Sequence, residues 1–393
     1  MILGGREMRA IKKMSYLLIS VLMLTLLAAC GEGDTKSTDG EGSGGAGETV
    51  SAKIGVISYL TGPGAAYGEA ITNGFNLALE EVNAKGDVKI ELVVEDSAGK
   101  QDQALTVAQK LMSSDDIVGL LGPTLSTEMN VVAPEADLNG IPIMGTSTTA
   151  SGIPQIGEYV FRNSIPESLA IPAALEKAVD KYGAKRVAIL YGNDDLFTKS
   201  GFDTMKEVAE EMGLEIVTIE TFQKGQSDYN AQLTKIKDLK PDLILASALY
   251  NEGAVIMDQA RKMGIEVPFV GGNGFNSPEV IDIAGKASEG LIVATPWFGE
   301  KPDQKVQDFV KKYEEKYGKK PDQFAAQAYD ALYIMAEGLK NAGEADRDAL
   351  RDALAEIKDL DGILGKFSFD KDGDVLMEPT VLIIKDGKFQ LFE

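Results

Sequence analysis

The chain has 393 residues, of which 61 are Asp or Glu and 39 are Lys or Arg; it has no histidine and one cysteine, and its formal charge is −22. Without histidine there is no His-based general acid or base, no Ser-His-Asp triad and no His-ligated zinc. One cysteine excludes disulfides within the chain and cysteine-rich metal clusters, and so acidic a chain is a poor partner for nucleic acid or for peripheral contact with anionic lipid.

In chain order the first predicted element is a leader. Arg6, Arg9, Lys12 and Lys13 precede an apolar run over residues 16–29, the layout of a signal peptide. That run is shorter than the roughly twenty residues of a membrane-spanning helix, so residues 1–29 are predicted to be cleaved. They carry four positive side chains and one negative, which leaves the remainder at −25. The run ends in Leu27-Ala28-Ala29-Cys30-Gly31, which resembles the lipobox of bacterial lipoproteins. The resemblance implies acylation of Cys30 and a membrane anchor. Residues 30–50 then form a lipidated cysteine and a flexible linker, because the stretch is rich in Gly, Ser, Thr and acidic residues and has no means to bury a core.

From residue 53 onward, short β-branched runs alternate with longer amphipathic stretches. Strands are predicted at 54–57, 88–94, 117–121 and 141–144, with helices at 69–83, 101–113 and 128–137. After Phe161 the rhythm restarts, with strands at 186–190, 215–220, 243–246, 268–270 and 290–294. Helices at 166–181, 201–212, 229–238, 254–263 and 278–283 separate them. Near-continuous apolar strands between helices predict parallel sheets covered on both faces. Long helices at 305–317, 324–341 and 346–357 are expected to return to the first sheet, followed by a strand from Phe367.

The fold class is therefore α/β, with two doubly wound parallel-sheet lobes. Residues 51–164 plus 298–365 form the N-terminal lobe, and 165–297 plus 366–393 the C-terminal lobe. Chain crossings near 162–165, 295–298 and 361–374 make a three-crossing hinge, with the sole tryptophan, Trp297, at the second.

Three patterns suggest other chemistry and do not sustain it. Gly62, Gly64 and Gly68 follow the first strand, but their spacing is one residue longer than a dinucleotide fingerprint, and Glu95-Asp96 sit about thirty residues beyond Gly64 where the fingerprint has its acid about twenty on. Asp370-Lys371-Asp372-Gly373-Asp374 has Val375 sixth and Glu378 ninth, where a calcium loop needs glycine and, at its twelfth position, glutamate; a hairpin turn is expected instead. Carboxylates such as Glu207, Glu210 and Glu211 lie on helix faces, and no pair is singled out for hydrolysis. No catalytic residue, cofactor or metal is expected.

The informative residues stand where strands of the first lobe end, the place where open parallel sheets bind ligands. The loops at 61–68, 122–127 and 145–149 are rich in hydroxyls and glycine. Helix-start N–H groups joined by Ser and Thr hydroxyls hold a carboxylate without a cationic side chain.

From Lys53 to Glu393 the chain resembles the leucine/isoleucine/valine-binding family of type I periplasmic binding proteins, which serve ABC amino-acid importers. The resemblance rests on Ile54-Gly55-Val56, Thr61-Gly62-Pro63, Tyr67-Gly68, Gly122-Pro123 with Ser126, and Ser147 to Thr149. It extends through Asn193-Asp194-Asp195-Leu196-Phe197 to Gly271-Gly272-Asn273-Gly274. It implies that Ser126 and Thr149 contact a ligand carboxylate and that a main-chain carbonyl around Ser147, in the loop with Thr148, helps receive an ammonium. Tyr67 and Phe197 would line the pocket, and Leu249 or Tyr250 would add a wall. Asn273 stands where members that bind branched-chain amino acids typically carry an acid for the ammonium. The expected ligand is thus a branched-chain or similar amino acid, with another small carboxylate or an amide as the alternative. Permease subunits of an ABC importer are the expected protein partner.

Overall fold

The computed structural model describes residues 49–393; the leader and Cys30 lie outside the described residues. The first sheet holds β1 (Val50–Ser58), β2 (Val88–Asp96), β3 (Ile117–Leu121), β4 (Ile143–Gly145) and β5 (Val160–Arg162). They lie in the order β2-β1-β3-β4-β5, all parallel. β1 shows why. Its Ile54 and Val56 join a core with Phe75, Ala78, Leu332 and Met335, while Ile57 joins a different cluster with Leu111, Leu120, Met129 and Val132. Alternate residues thus bury both faces, so helices must cover both. α1 (Ala65–Lys85) and α10 (Gln323–Ala342) cover one side, and α2 (Gln101–Met112) and α3 (Ser126–Leu138) the other. α1 and α10 meet backbone to backbone, since a Cβ on Gly74 would lie 2.2 Å from the Ala325 carbonyl oxygen.

The second sheet is built from β6 (Arg186–Gly192), β7 (Glu215–Phe222), β8 (Leu243–Ser247), β9 (Phe269–Gly271), β10 (Leu291–Thr295), β13 (Thr380–Lys385) and β14 (Lys388–Leu391). Its order is β14-β13-β10-β9-β8-β6-β7. Along β6, Ala188 and Leu190 face Ile236 and Met257, while Val187 and Ile189 face Ile171, Leu175 and Met205. The covering helices are α4 (Glu167–Tyr182), α5 (Leu196–Glu211), α6 (Asn230–Leu239), α7 (Tyr250–Lys262) and α8 (Glu279–Ala284). The chain leaves β10 for α9 (Gln304–Tyr317), α10 and α11 (Arg347–Ala355), then forms a ribbon of β11 (Leu360–Asp361) and β12 (Lys366–Phe367) before β13. Trp297, in the segment leaving β10, is buried edge-on against Phe309.

The architecture is the type I periplasmic binding protein fold. It departs from the sequence reading in detail. β13 runs antiparallel to β10, and β14 antiparallel to β13, so the second sheet is mixed. The strand expected from Phe367 ends there, and Phe369 instead bridges Val375 around the expected turn, where Asp370 accepts the Asp372 and Asp374 N–H groups. The glycines after β1 serve packing. A Cβ on Gly68 would lie 2.1 Å from the Tyr59 carbonyl oxygen, so α1 sits directly on the strand end.

Candidate ligand-binding site

The carboxyl ends of the two sheets face each other across a small cavity lined by Tyr67, Thr124, Leu125, Ser126, Ser147, Phe197, Leu249, Asn273, Gly274 and Phe324. None of the lining side chains is charged. Ser126 opens α3, Phe197 stands in the first turn of α5, and Leu249 precedes α7, so three helix N-termini bring positive dipole ends toward one space.

On the first-sheet side, Ser126 Oγ accepts from the Ala150 N–H (3.2 Å), which leaves its own proton for a ligand. Ser147 donates to the Thr124 carbonyl (2.5 Å), and Thr124 Oγ1 accepts from the Tyr59 N–H (3.0 Å). Glu128, one turn into α3, accepts from the Leu125 N–H (2.9 Å) and so caps the helix; burial pushes its carboxyl up to about 7. Beneath these loops Arg162 is buried. It clamps Asp374 through two bonds (2.7 and 2.6 Å) and donates to the Thr148 and Ala150 carbonyls (3.1 and 2.7 Å), which fixes the loop carrying Ser147.

Tyr67 ties the halves together. Its hydroxyl donates to the Gly274 carbonyl (2.5 Å) and accepts from the Tyr250 N–H (2.9 Å), and its ring packs edge-on against Tyr250 and Phe324 at 4.7 Å. The halves also meet where Thr127 donates to Asp195 (2.6 Å) and where the Ser151 N–H donates to Ser200 (2.9 Å). The structure is therefore a closed arrangement.

Of the residues singled out in the sequence, Tyr67, Ser126, Ser147, Phe197, Leu249 and Asn273 come together on the cavity. Thr148, Thr149 and Tyr250 stand one layer behind. Thr148 is buried against Gly145, and Tyr250 turns its hydroxyl to the Pro63 carbonyl (2.6 Å). Thr149 donates to Glu167 (3.2 Å). Asn273 accepts through Oδ1 from the Gln323 amide, and Gln323 in turn accepts from Thr295 Oγ1 (2.7 Å).

Sequence reasoning passed over Thr124 and Leu125, although both lie in a loop it had marked. It also missed Gly274 and Phe324, and the second-layer residues Glu167 and Gln323. Glu167 is buried, accepts from the Asn273 N–H (2.9 Å), and has its carboxyl pushed up to about 7 by burial.

A model of the periplasmic binding protein family matches residues 51–388, and the chain belongs to that family, whose members act outside the cytoplasm. The leucine-, isoleucine-, valine-, threonine- and alanine-binding protein of Pseudomonas aeruginosa is 27% identical over 327 residues, which cover 82% of this chain and 87% of that protein. The branched-chain amino acid transporter substrate-binding protein LivJ of Streptococcus pneumoniae, solved in complex with isoleucine, matches with a TM-score of 0.80 at 30% identity, over 87% of this chain and 98% of that one. A leucine-binding protein of Thermotoga maritima gives a TM-score of 0.82 at 27% identity, over 86% and 97% of the two chains. Among the described residues no helix is long and apolar enough to cross a membrane.

Proposed function

We propose that this protein is the solute-binding component of an ABC importer and captures a branched-chain or similar small amino acid in the cavity, without converting it. The supporting observation is the division of the cavity wall. The Ser126 and Thr124 hydroxyls and the start of α3 suit a carboxylate, while Phe197, Leu249 and Phe324 offer an apolar surface for an aliphatic side chain. Likeness over most of the chain to proteins named for leucine, isoleucine and valine supports the same reading.

The moving bodies in this reading are residues 51–164 with 298–365 and residues 165–297 with 366–393, which close around ligand and present a joint surface to permease subunits. A ligand touching both bodies favours the closed state because only differential contact shifts a population. Acyl groups on Cys30 hold the protein at the membrane. Labelled palmitate is expected to be incorporated and to disappear in Cys30→Ala; label persisting in that variant removes the anchor from the proposal.

The test of the ligand is a thermal-shift panel of amino acids and small carboxylates. At a hundredfold excess over Kd a ligand stabilises the native state by about 2.7 kcal/mol, which is a shift of several degrees. Leucine, isoleucine or valine is expected to produce it. A second reading is favoured by Asn273, which supplies no charge for an ammonium. If only an aromatic or short-chain carboxylate, or an amide, shifts the melting temperature, that reading replaces the first.

A further inference from the structure

We infer that Glu167 is the counter-charge for the ligand's ammonium group, acting from directly behind Asn273 and Gly272; the inference rests on the amino-acid reading above. The cavity wall carries no charged side chain, and Asn273, where an acid would serve, is neutral and already accepts the Gln323 amide at Oδ1. An ammonium entering this space therefore meets no full negative charge in the first layer.

Glu167 provides one in the next layer. It opens α4, immediately after the chain passes from the first sheet to the second. Its Oε1 accepts from the Asn273 N–H (2.9 Å) and from Thr149 Oγ1 (3.2 Å), so it joins loops from both sheets beside the cavity. Its Oε2 is buried and has no hydrogen-bond partner, and it lies 2.9 Å from where a Cβ on Gly272 would be. The carboxylate thus sits against the Gly272 backbone that leads into Asn273. Arg162 is committed elsewhere: all three of its nitrogens bond to Asp374 or to the Thr148 and Ala150 carbonyls. Among the described residues no cationic side chain bonds to Glu167. A buried carboxylate with an unpaired oxygen is costly, and the ligand's cation is the group that relieves it. At low local dielectric the attraction acts across one layer of atoms.

The experiment is a calorimetric titration of the intact protein with leucine and with 4-methylpentanoate, which keeps the leucine side chain and carboxylate and lacks the amino group. Wild type is expected to prefer leucine. Glu167→Gln is expected to lose leucine affinity on the order of 30-fold or more, with 4-methylpentanoate changed less than about threefold. Adding Asn273→Asp to Glu167→Gln restores leucine binding by returning a carboxylate to the wall. Equal losses for both ligands mean a structural role and overturn the inference, as does no loss for either. Glu167→Asp provides a further check should Glu167→Gln fail to fold. It keeps the carboxylate one methylene farther from Asn273 and is expected to weaken leucine by more than 4-methylpentanoate, whereas equal changes for both ligands overturn the inference. Failure of the amino-acid reading is distinguishable because it appears in wild type, as no binding of leucine or any other amino acid, and it removes the inference as well.

Discussion

The two walls of the cavity are built from the same parts and do different work. Both come from loops that leave the carboxyl ends of parallel strands and run into helices. The first-sheet wall presents Thr124, Ser126 and Ser147, held by Arg162 beneath; the second-sheet wall presents Phe197 and Leu249 with one amide, Asn273. Invariant features of a ligand, its charged head group, suit the wall whose groups are fixed by hydrogen bonds. Variable features suit the wall whose contacts are apolar and set by volume. Phe324, from a helix of the first body, extends the apolar side and prevents the division from following the chain strictly.

The largest effect that would break this comparison is at Ser126. Replacing it by alanine removes one hydrogen bond to a charged group, about 1.5–3 kcal/mol, and loss of affinity on the order of 10–100-fold is expected for every carboxylate ligand alike. Isothermal titration with leucine, valine and alanine measures it. A loss confined to one of these ligands would mean that Ser126 reads the side chain and that the walls do not divide the work.

Leu249→Ala is the converse and smaller case. Removing apolar atoms from the second wall costs about 0.8 kcal/mol per methylene that loses burial, so leucine affinity is expected to fall roughly tenfold while alanine affinity stays nearly constant. The ratio of the two affinities is the readout. A uniform loss would place Leu249 with the head-group contacts.

Much of the scaffold was legible in the sequence, and less of the site. Strands such as β3 and β8 are buried at every residue, so they appear as uninterrupted apolar runs between helices. β5 is three residues long and ends in an arginine, so it carries no such run, whereas β13 carries one, Val381 to Ile384, that the sequence reading passed over. Helix starts show a more instructive error. The sequence suggests that three helices begin at 128, 201 and 254, because their first turns are polar, aromatic or glycine-containing; in the structure they begin at Ser126, Leu196 and Tyr250. Two of the residues thus excluded from helices, Ser126 and Phe197, are ones the first turns deliver to the cavity. Glu167, Gln323 and Phe324 reach the site from segments remote from its marked loops, and only the tertiary arrangement brings them there.

The smallest expected effect concerns buried carboxylates, of which Glu128 stands behind the polar wall instead of in it. Burial raises Glu128 and Glu167 to about 7, and Asp322 and Asp330 to about 6. Their unfolded values are roughly 4, so the native state binds these protons more tightly than the unfolded chain does. The resulting stability is fully present below the unfolded values and is lost as pH rises from about 4 through about 7. Hydrogen bonds act oppositely on Glu81 and Asp96, which are lowered, so their contribution is lost in stronger acid. The melting temperature is therefore expected to peak in mild acid and to fall by a few degrees toward pH 8. Glu128→Gln keeps an oxygen to accept from the Leu125 N–H and removes one titrating group, so its melting temperature should vary less steeply between pH 5 and 7.5. Differential scanning calorimetry across that range provides the check. Parallel pH profiles for wild type and variant would mean that Glu128 is hydrated and ionised in the native protein, and that negative charge stands immediately beneath the wall assigned to the ligand's carboxylate.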